Sequence, residues 1–180
     1  MKIFGIDPGS DRTGYGCLET DGSRHRLVTC GSLSAPAGTP FPDRLLTIHA
    51  GLTLLLAEHR PDCVAVESIF HARNVRSALK LGHARGVALL AASEAGVPIV
   101  EYAPTEIKRA VVGFGRAEKN QVGQMVKLLL GLETAPSPHD VADALAVAIC
   151  HVHSSNGRVA EAMKTIRSAS RLTTWRDYRP

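Results

Sequence analysis

Three strand-like segments at the start of the chain, followed by helices that alternate with strands, set the fold class of these 180 residues. Residues 2–7 form an apolar run, residues 14–19 alternate between apolar and polar side chains, and an Asp21-Gly22 turn leads into residues 26–34. Consecutive strands joined by short turns form an antiparallel meander. Any later strand has to reach this sheet through a crossover.

Helical and strand-like patterns alternate along the rest of the chain. We predict helices over residues 43–59 and 74–95, each followed by a short strand, at residues 62–67 and 97–102. Three more helices are predicted, over residues 105–112, 119–130 and 138–153. Right-handed crossovers place the fourth strand beside the first. The prediction is an α/β fold whose mixed five-stranded sheet has the order 3-2-1-4-5, with helices on both faces.

Four carboxylates stand where this fold would bring them together. Asp7 ends the first strand and Glu67 ends the fourth, and the carboxyl ends of neighbouring parallel strands meet at one edge of a sheet. Asp140 and Asp143 are three residues apart, which puts both on one face of the last helix. Taken singly, Asp7 before Pro8-Gly9 is also a common turn residue. Together, the four residues indicate a site.

A cluster of four anions requires cations, because mutual repulsion would otherwise raise the carboxyl pKa values or open the fold. Oxygen ligands without His or thiolate partners favour Mg²⁺ or Mn²⁺. Two such ions ~3.5–4 Å apart suit the in-line displacement at a phosphodiester. We therefore expect Asp7, Glu67, Asp140 and Asp143 to be both the metal ligands and the catalytic residues of a nuclease.

The charge of the chain is unevenly distributed. The net charge is +4, from 21 basic and 17 acidic residues, yet residues 1–156 are balanced. Residues 71–127 carry nine basic and four acidic residues, and residues 157–180 carry six and two. An acidic site beside a basic surface suits an enzyme that acts on a polyanion, although a solvated helix face would give the same counts. We predict one domain over residues 1–156 and a basic, flexible tail over residues 157–180.

The cysteines and the amino-terminal segment indicate a cytoplasmic protein. The four cysteines, Cys17, Cys30, Cys63 and Cys150, form no C-x-x-C pair and are interpreted as buried small apolar residues in a reducing compartment. Asp7 interrupts the segment where a signal peptide would need its apolar run, and no stretch reaches the ~18 apolar residues of a membrane span.

Six motifs, in consistent order, resemble those of the bacterial RuvC-type Holliday junction resolvases. They are IDPGS at 6–10, TGYG at 13–16, ESIFHARN at 67–74, SALKLGHARG at 77–86, VGFGRAEK at 112–119 and DVADALA at 140–146. The resemblance implies an RNase H-like fold and a homodimeric, Mg²⁺-dependent endonuclease. Such an enzyme nicks two opposed strands of a four-way DNA junction, leaving 5′-phosphate and 3′-hydroxyl ends, and works with the RuvA and RuvB branch-migration proteins in recombination and repair.

The resemblance also assigns roles to single residues. The four carboxylates match the metal-binding positions of the family; some relatives have His where this chain has Asp140, and we interpret the adjacent His139 as a surface residue or a support of the site rather than a ligand. Lys108 and Lys119 match lysines that contact the scissile strand. Phe70, which could equally be a core residue on the sequence alone, is expected to stack on a base at the junction centre. The remaining predicted contacts with DNA phosphates are Arg73, Asn74, Arg76, Lys80 and Arg85.

Small residues along the second predicted helix indicate a close helix crossing. Gly82 and Gly86 are four residues apart, and Ala78 extends the same surface. This surface could pack on the sheet of its own chain. Because two strands must be cut, we instead predict that Ala78, Gly82 and Gly86 form the interface of a two-fold dimer.

Three other functions are compatible with parts of the sequence. The Asp-Pro-Gly-Ser turn also resembles the phosphate loop of actin-like ATPases, but that fold needs two lobes and a second such turn. Another RNase H-like nuclease, acting on RNA/DNA hybrids or in transposition, would share the carboxylates. A junction-binding protein without activity would be expected to lack at least one of them, and all four are present.

Overall fold

The computed structural model describes residues 1–68 and 74–169, with side chains described as far as residue 155. Phe70 and Arg73 therefore lie outside the described residues. The strands are β1 (Lys2–Asp7), β2 (Thr13–Thr20), β3 (His25–Leu33), β4 (Cys63–Glu67) and β5 (Ile99–Tyr102). The helices are α1 (Phe41–His59), α2 (Val75–Glu94), α3 (Pro104–Val112), α4 (Lys119–Leu130) and α5 (His139–Ala169).

The five strands form one mixed sheet. Strands β1, β2 and β3 pair antiparallel, as the two short connections between them require. Strand β4 pairs parallel with β1, and β5 pairs parallel with β4, after helical crossovers. The resulting order, β3-β2-β1-β4-β5, confirms the predicted fold class and sheet order.

Helices cover both faces of the sheet. On one face, α1 and α2 pack on apolar side chains that include Phe4, Ile6, Val64 and Val66. On the other face, α3 and α4 pack around α5, whose buried residues run from Val141 to Val152. The central strands are buried on both faces, which explains why residues 2–7 and 63–66 are almost continuously apolar.

Glycines let α5 approach the sheet very closely. A Cβ atom built on Gly5 would lie 2.1 Å from the carbonyl oxygen of Ala144, and one on Gly16 would lie 2.4 Å from a methyl carbon of Leu145. These two glycines are directly paired across β1 and β2. Helix α5 is thereby held against the strand that ends in Asp7.

The last helix is longer than the sequence pattern predicts. Its backbone continues past residue 153 as far as Ala169. The flexibility of residues 157–180 remains a prediction. No helix within residues 1–68 and 74–169 combines the length and the apolar character needed to cross a membrane.

Candidate active site

Two carboxylates meet at the carboxyl edge of the parallel strands. Ile6 of β1 pairs with Val66 of β4, so the following residues, Asp7 and Glu67, end neighbouring strands side by side. They open into a cleft of about 200 Å³. The described residues that line this cleft are Asp7, Glu67, Pro104, Ile107, Lys108, Lys119, Val122 and Asp143.

Helix α5 contributes the remaining carboxylates because Gly14 provides space for its first turn. Gly14 pairs with Asp7 across β1 and β2, and its α-carbon lies against the backbone of Asp140. Asp143, one turn further on, lines the cleft with only 18 % of its side chain exposed. Asp140 is half-buried beside the cleft and does not line it. The structure thus brings three of the four predicted carboxylates into one cleft and leaves Asp140 at its margin.

A short loop fixes the backbone immediately after Asp7. The hydroxyl of Thr13 donates to the carbonyl oxygen of Gly9, at 3.1 Å, and accepts from the Gly9 amide, at 3.3 Å. Thr13 is completely buried. An added Cβ on Gly9 would lie 2.1 Å from the carbonyl oxygen of Arg12, so this turn needs glycine.

Burial and crowded negative charge raise the pKa values of the two carboxyl groups at the strand ends. Burial, and then the negative charges of Glu67 and Asp143, raise the pKa of Asp7 from 3.8 to about 8. Burial and the charge of Asp143 also raise the pKa of Glu67. The Lys119 ammonium acts in the opposite direction on both groups. At neutral pH the cleft therefore holds more carboxyl groups than it can keep ionised without a cation.

Lys119 forms an ion pair with one of these carboxylates. Its Nζ atom lies 2.7 Å from Oδ2 of Asp143, and this hydrogen bond raises the pKa of the lysine. Lys108 lines the same cleft from α3, and its charge lowers the pKa of Glu67. The predicted pair of lysines thus lies within the carboxylate cleft itself.

The chemistry of the cleft fits a divalent cation. Its polar lining within the described residues consists of carboxylates and lysines, with no thiol or imidazole, which is the oxygen-rich donor set of Mg²⁺ or Mn²⁺. Burial and the neighbouring carboxylate charges raise the pKa of Asp7, and such an ion would neutralise those charges. However, no three or more His, Cys, Asp or Glu side chains among the described residues are already arranged around a common point as metal ligands.

Three of the predicted DNA-contacting residues lie at the start of α2. Asn74 caps this helix, because its side-chain oxygen accepts from the amide of Ser77 at 2.8 Å. Arg76 and Lys80 are exposed on the first turns, and Nζ of Lys80 lies 5.7 Å from the centre of the Phe41 ring. Asn74 therefore has a structural role in addition to the predicted one.

Arg85, also predicted to contact DNA, is already engaged within the protein. Its side chain forms an ion pair with Glu101 of β5 and is 24 % exposed. Its Nε atom is buried and has no hydrogen-bond partner in the described part of the chain.

The small residues of α2 lie on an open surface. No described atom outside α2 lies within 4 Å of a Cβ built on Gly82 or Gly86, and Ala78 is exposed. The surface does not pack on the sheet, since α2 joins the core of that face through Ala88, Ala91 and Ala92 instead. It borders an apolar groove lined by Leu45, Ala78, Leu79, Gly82, His83, Gly86, Val87 and Leu90.

Three histidines of α5 lie outside the cleft lining. His139 is exposed on the first turn. His151 and His153 are half-buried. Nδ1 of His151 lies 2.9 Å from the hydroxyl of Tyr102, and Nδ1 of His153 lies 2.9 Å from the carbonyl oxygen of Ala110.

Two features of the site are not apparent from the motifs alone. The fit of Gly14 against Asp140 could have been suspected, because a glycine within a strand often marks a close backbone approach. The ion pair between Lys119 and Asp143 has no local sequence signal, since 24 residues separate its partners.

Comparison with known proteins agrees with this architecture. The family model described as crossover junction endodeoxyribonuclease RuvC matches residues 3–151. The RuvC of Chloroflexus aggregans is 51 % identical over 155 residues, which cover 86 % of this chain and 94 % of the relative; that of Trichlorobacter lovleyi is 48 % identical over 180 residues, which cover 100 % of both.

A solved structure shows the same similarity in three dimensions. Thermus thermophilus RuvC in complex with a Holliday junction substrate superposes with a TM-score of 0.79 and 37 % identity, covering 86 % of this chain and 95 % of the relative. The fold is therefore RNase H-like, as predicted. With most of its length matched, this chain belongs to the RuvC family of crossover junction endodeoxyribonucleases.

Proposed function

We propose that this protein is a divalent-metal-dependent endonuclease that resolves four-way DNA junctions by paired nicks in recombination and repair. The observation that carries the proposal is the carboxylate cleft at the ends of β1 and β4, in which Asp7, Glu67 and Asp143 lie together with two lysines. Family membership and the junction complex of the Thermus thermophilus relative support DNA junctions as the substrate.

The four carboxylates would hold the metal ions. Asp7, Glu67 and Asp143 face the cleft, and Asp140 is close enough for its charge to raise the pKa of Asp7. Two bound Mg²⁺ or Mn²⁺ ions would activate the attacking water and stabilise the charge on the leaving 3′ oxygen, which gives 5′-phosphate and 3′-hydroxyl ends. Lys108 and Lys119 would place positive charge near the scissile phosphate.

Basic residues of α2 would position the junction. Arg76 and Lys80 are exposed at the start of α2, directly after the segment that carries Phe70 and Arg73. We assign Phe70 to base stacking at the junction centre, and Arg73, Asn74 and Arg85 to phosphate contacts, as supported by the family resemblance. For Arg85, phosphate contact would require exchange of its ion pair with Glu101.

A homodimer would supply two cleavage sites for the two strands. The open face of α2 around Ala78, Gly82 and Gly86 carries the exposed side chains of Leu79 and Leu90. Burying such an apolar surface is favourable, and a two-fold axis would relate two clefts as it relates the strands of a junction.

We also propose RuvA and RuvB as partners, a cytoplasmic location, and a nuclease domain over residues 1–156 with a flexible basic tail.

The deciding experiment compares three substrates under three metal conditions. The full-length protein is incubated with a synthetic four-way junction, a linear duplex and an RNA/DNA hybrid, each with Mg²⁺, with Mn²⁺ or with a chelator. We expect symmetrically paired nicks in the junction alone, none with chelator, and ends that a DNA ligase can reseal. Cleavage of the hybrid but not of the junction would establish a different RNase H-like nuclease instead.

The variant Asp7→Asn separates binding from chemistry. It removes the central carboxylate charge with little change in shape, so it should bind the junction with at least wild-type affinity and fail to cut it. Binding is measured by a gel-shift assay and cleavage on the same labelled substrate. Cleavage by Asp7→Asn at the wild-type rate would show that the carboxylate cleft is not the active site.

A further inference from the structure

The ammonium of Lys119 occupies a position where a metal ion would compete with it. Lys119 is the first residue of α4, and its Nζ atom lies 2.7 Å from Oδ2 of Asp143. Asp143 is largely buried, whereas 64 % of the lysine side chain is exposed. The lysine thus reaches from the surface into the cleft and takes one oxygen of a carboxylate that faces Asp7 and Glu67.

The positive charge of Lys119 acts on the whole cleft. It lowers the pKa of Asp7 and that of Glu67. Of the charges that lower these two pKa values, that of Lys119 has the largest effect. Lys108 lines the same cleft but forms no ion pair with a carboxylate within the described residues, and its charge lowers the pKa of Glu67 less than that of Lys119 does. The two lysines therefore differ in their relation to the carboxylates.

We propose that Lys119 is a built-in counter-cation, which a divalent ion must displace from Asp143 before the cleft can bind the metal. This inference rests on the proposed metal-dependent function. The carboxylates have no ready-made metal-ligating arrangement among the described residues, and one oxygen of Asp143 is held by the ammonium. The flexible, exposed lysine chain can turn outward once it is displaced, toward the mouth of the cleft where a DNA phosphate would accept it.

Displacement makes metal binding and catalysis respond in opposite ways to loss of this lysine. Without the ammonium, an incoming ion meets a free Asp143 carboxylate, so the protein without DNA should bind metal more tightly. Cleavage should nevertheless slow, because the positive charge near the scissile phosphate is lost. A residue that served only to hold α4 in place would weaken both properties or neither.

The test measures Mn²⁺ binding to the full-length protein without DNA, by electron paramagnetic resonance of the free ion. Lys119→Met is compared with wild type and with the matched control Lys108→Met, which removes the same charge from the same cleft but breaks no ion pair. We expect Lys119→Met to bind Mn²⁺ about five- to tenfold more tightly than wild type. The control should change the affinity by less than about twofold. Thermal unfolding confirms that both variants are folded, and Lys119→Gln serves as a second variant.

The possible outcomes separate the inference from the function on which it rests. If Lys119→Met binds Mn²⁺ no more tightly than wild type, or no more tightly than Lys108→Met, the counter-cation role is overturned. The proposed metal site is left intact by either result. If Asp7→Asn binds Mn²⁺ as tightly as the wild type does, the proposed metal site itself is wrong and the counter-cation role is overturned with it. Tighter Mn²⁺ binding by Lys119→Met with slower junction cleavage supports both.

Discussion

A Cβ atom on Gly14 would lie 1.9 Å from the carbonyl oxygen of Asp140. The same glycine pairs with Asp7 across β1 and β2, so one residue connects the two parts of the carboxylate cleft. The first turn of α5 can only approach the end of β1 because this position has no side chain. The separation between Asp7 and Asp143 thus depends on a residue that carries no functional group.

Substitution of Gly14 by alanine should separate α5 from the sheet and disturb the cleft. The added methyl group meets backbone, which cannot turn away as a flexible side chain can. We expect a loss of about 1–3 kcal/mol in the free energy of unfolding. Displacement of the α5 carboxylates should also slow junction cleavage by about 10- to 100-fold. Chemical denaturation and single-turnover cleavage measure the two effects.

Gly123→Ala is the matched control for this prediction. Gly123 of α4 also faces α5, but its added Cβ would lie 3.8 Å from that of Ala142, an ordinary contact. Stability should be unchanged or slightly higher, because alanine is the better helix former, and cleavage should stay at the wild-type rate. Equal losses in Gly14→Ala and Gly123→Ala would contradict a specific role for Gly14.

The metal-free protein should lose stability as the pH rises from about 4 to about 8. Asp7 has a pKa of about 8 in the folded protein, against an ordinary value of 3.8, so between these values the folded state holds a proton that the unfolded chain releases. Each pH unit then lowers the free energy of unfolding, by at most about 1.4 kcal/mol for one group. Denaturation at several pH values, in the presence of a chelator, measures the slope.

Asp7→Asn tests whether this slope comes from the cleft. The amide does not ionise, so the variant should show a shallower decline and should be more stable than wild type at pH 8. Glu67, whose pKa is also raised, accounts for part of the remaining slope. Identical slopes in wild type and Asp7→Asn would mean that Asp7 is ionised in the folded protein across this range.

The two roles of Asn74 can be separated by substitution. Asn74→Ala removes the cap of α2 and should cost about 1 kcal/mol in the free energy of unfolding. Asn74→Ser retains a capping oxygen and should restore that stability. If Asn74 also contacts DNA as proposed, Asn74→Ser should still bind the junction more weakly than wild type in a gel-shift assay. Wild-type affinity in Asn74→Ser would limit this residue to capping.

The sequence predicts the sheet order and the position of the two carboxylates at the strand ends, because both follow from the pattern of strands and helices along the chain. Three consecutive strands followed by crossovers allow few arrangements, and a carboxylate that ends a parallel strand reaches a defined edge. The position of Asp140 beside the cleft, rather than in its lining, depends instead on how α5 is rotated against Gly14. The partner of Lys119 depends on the approach of α4 to α5. Distances between packed elements of this kind leave no periodic pattern in the sequence.

The open face of α2 should mediate dimerisation, and a charge on it should produce monomers. Leu79 is 60 % exposed beside Gly82, so Leu79→Glu places a carboxylate in the proposed interface without disturbing the core. Leu128→Glu is the control, since Leu128 is 70 % exposed on α4. In sedimentation velocity we expect Leu79→Glu to be monomeric and to lose paired nicking, while Leu128→Glu remains dimeric. If Leu79→Glu is still dimeric, the interface lies on a different face of the protein.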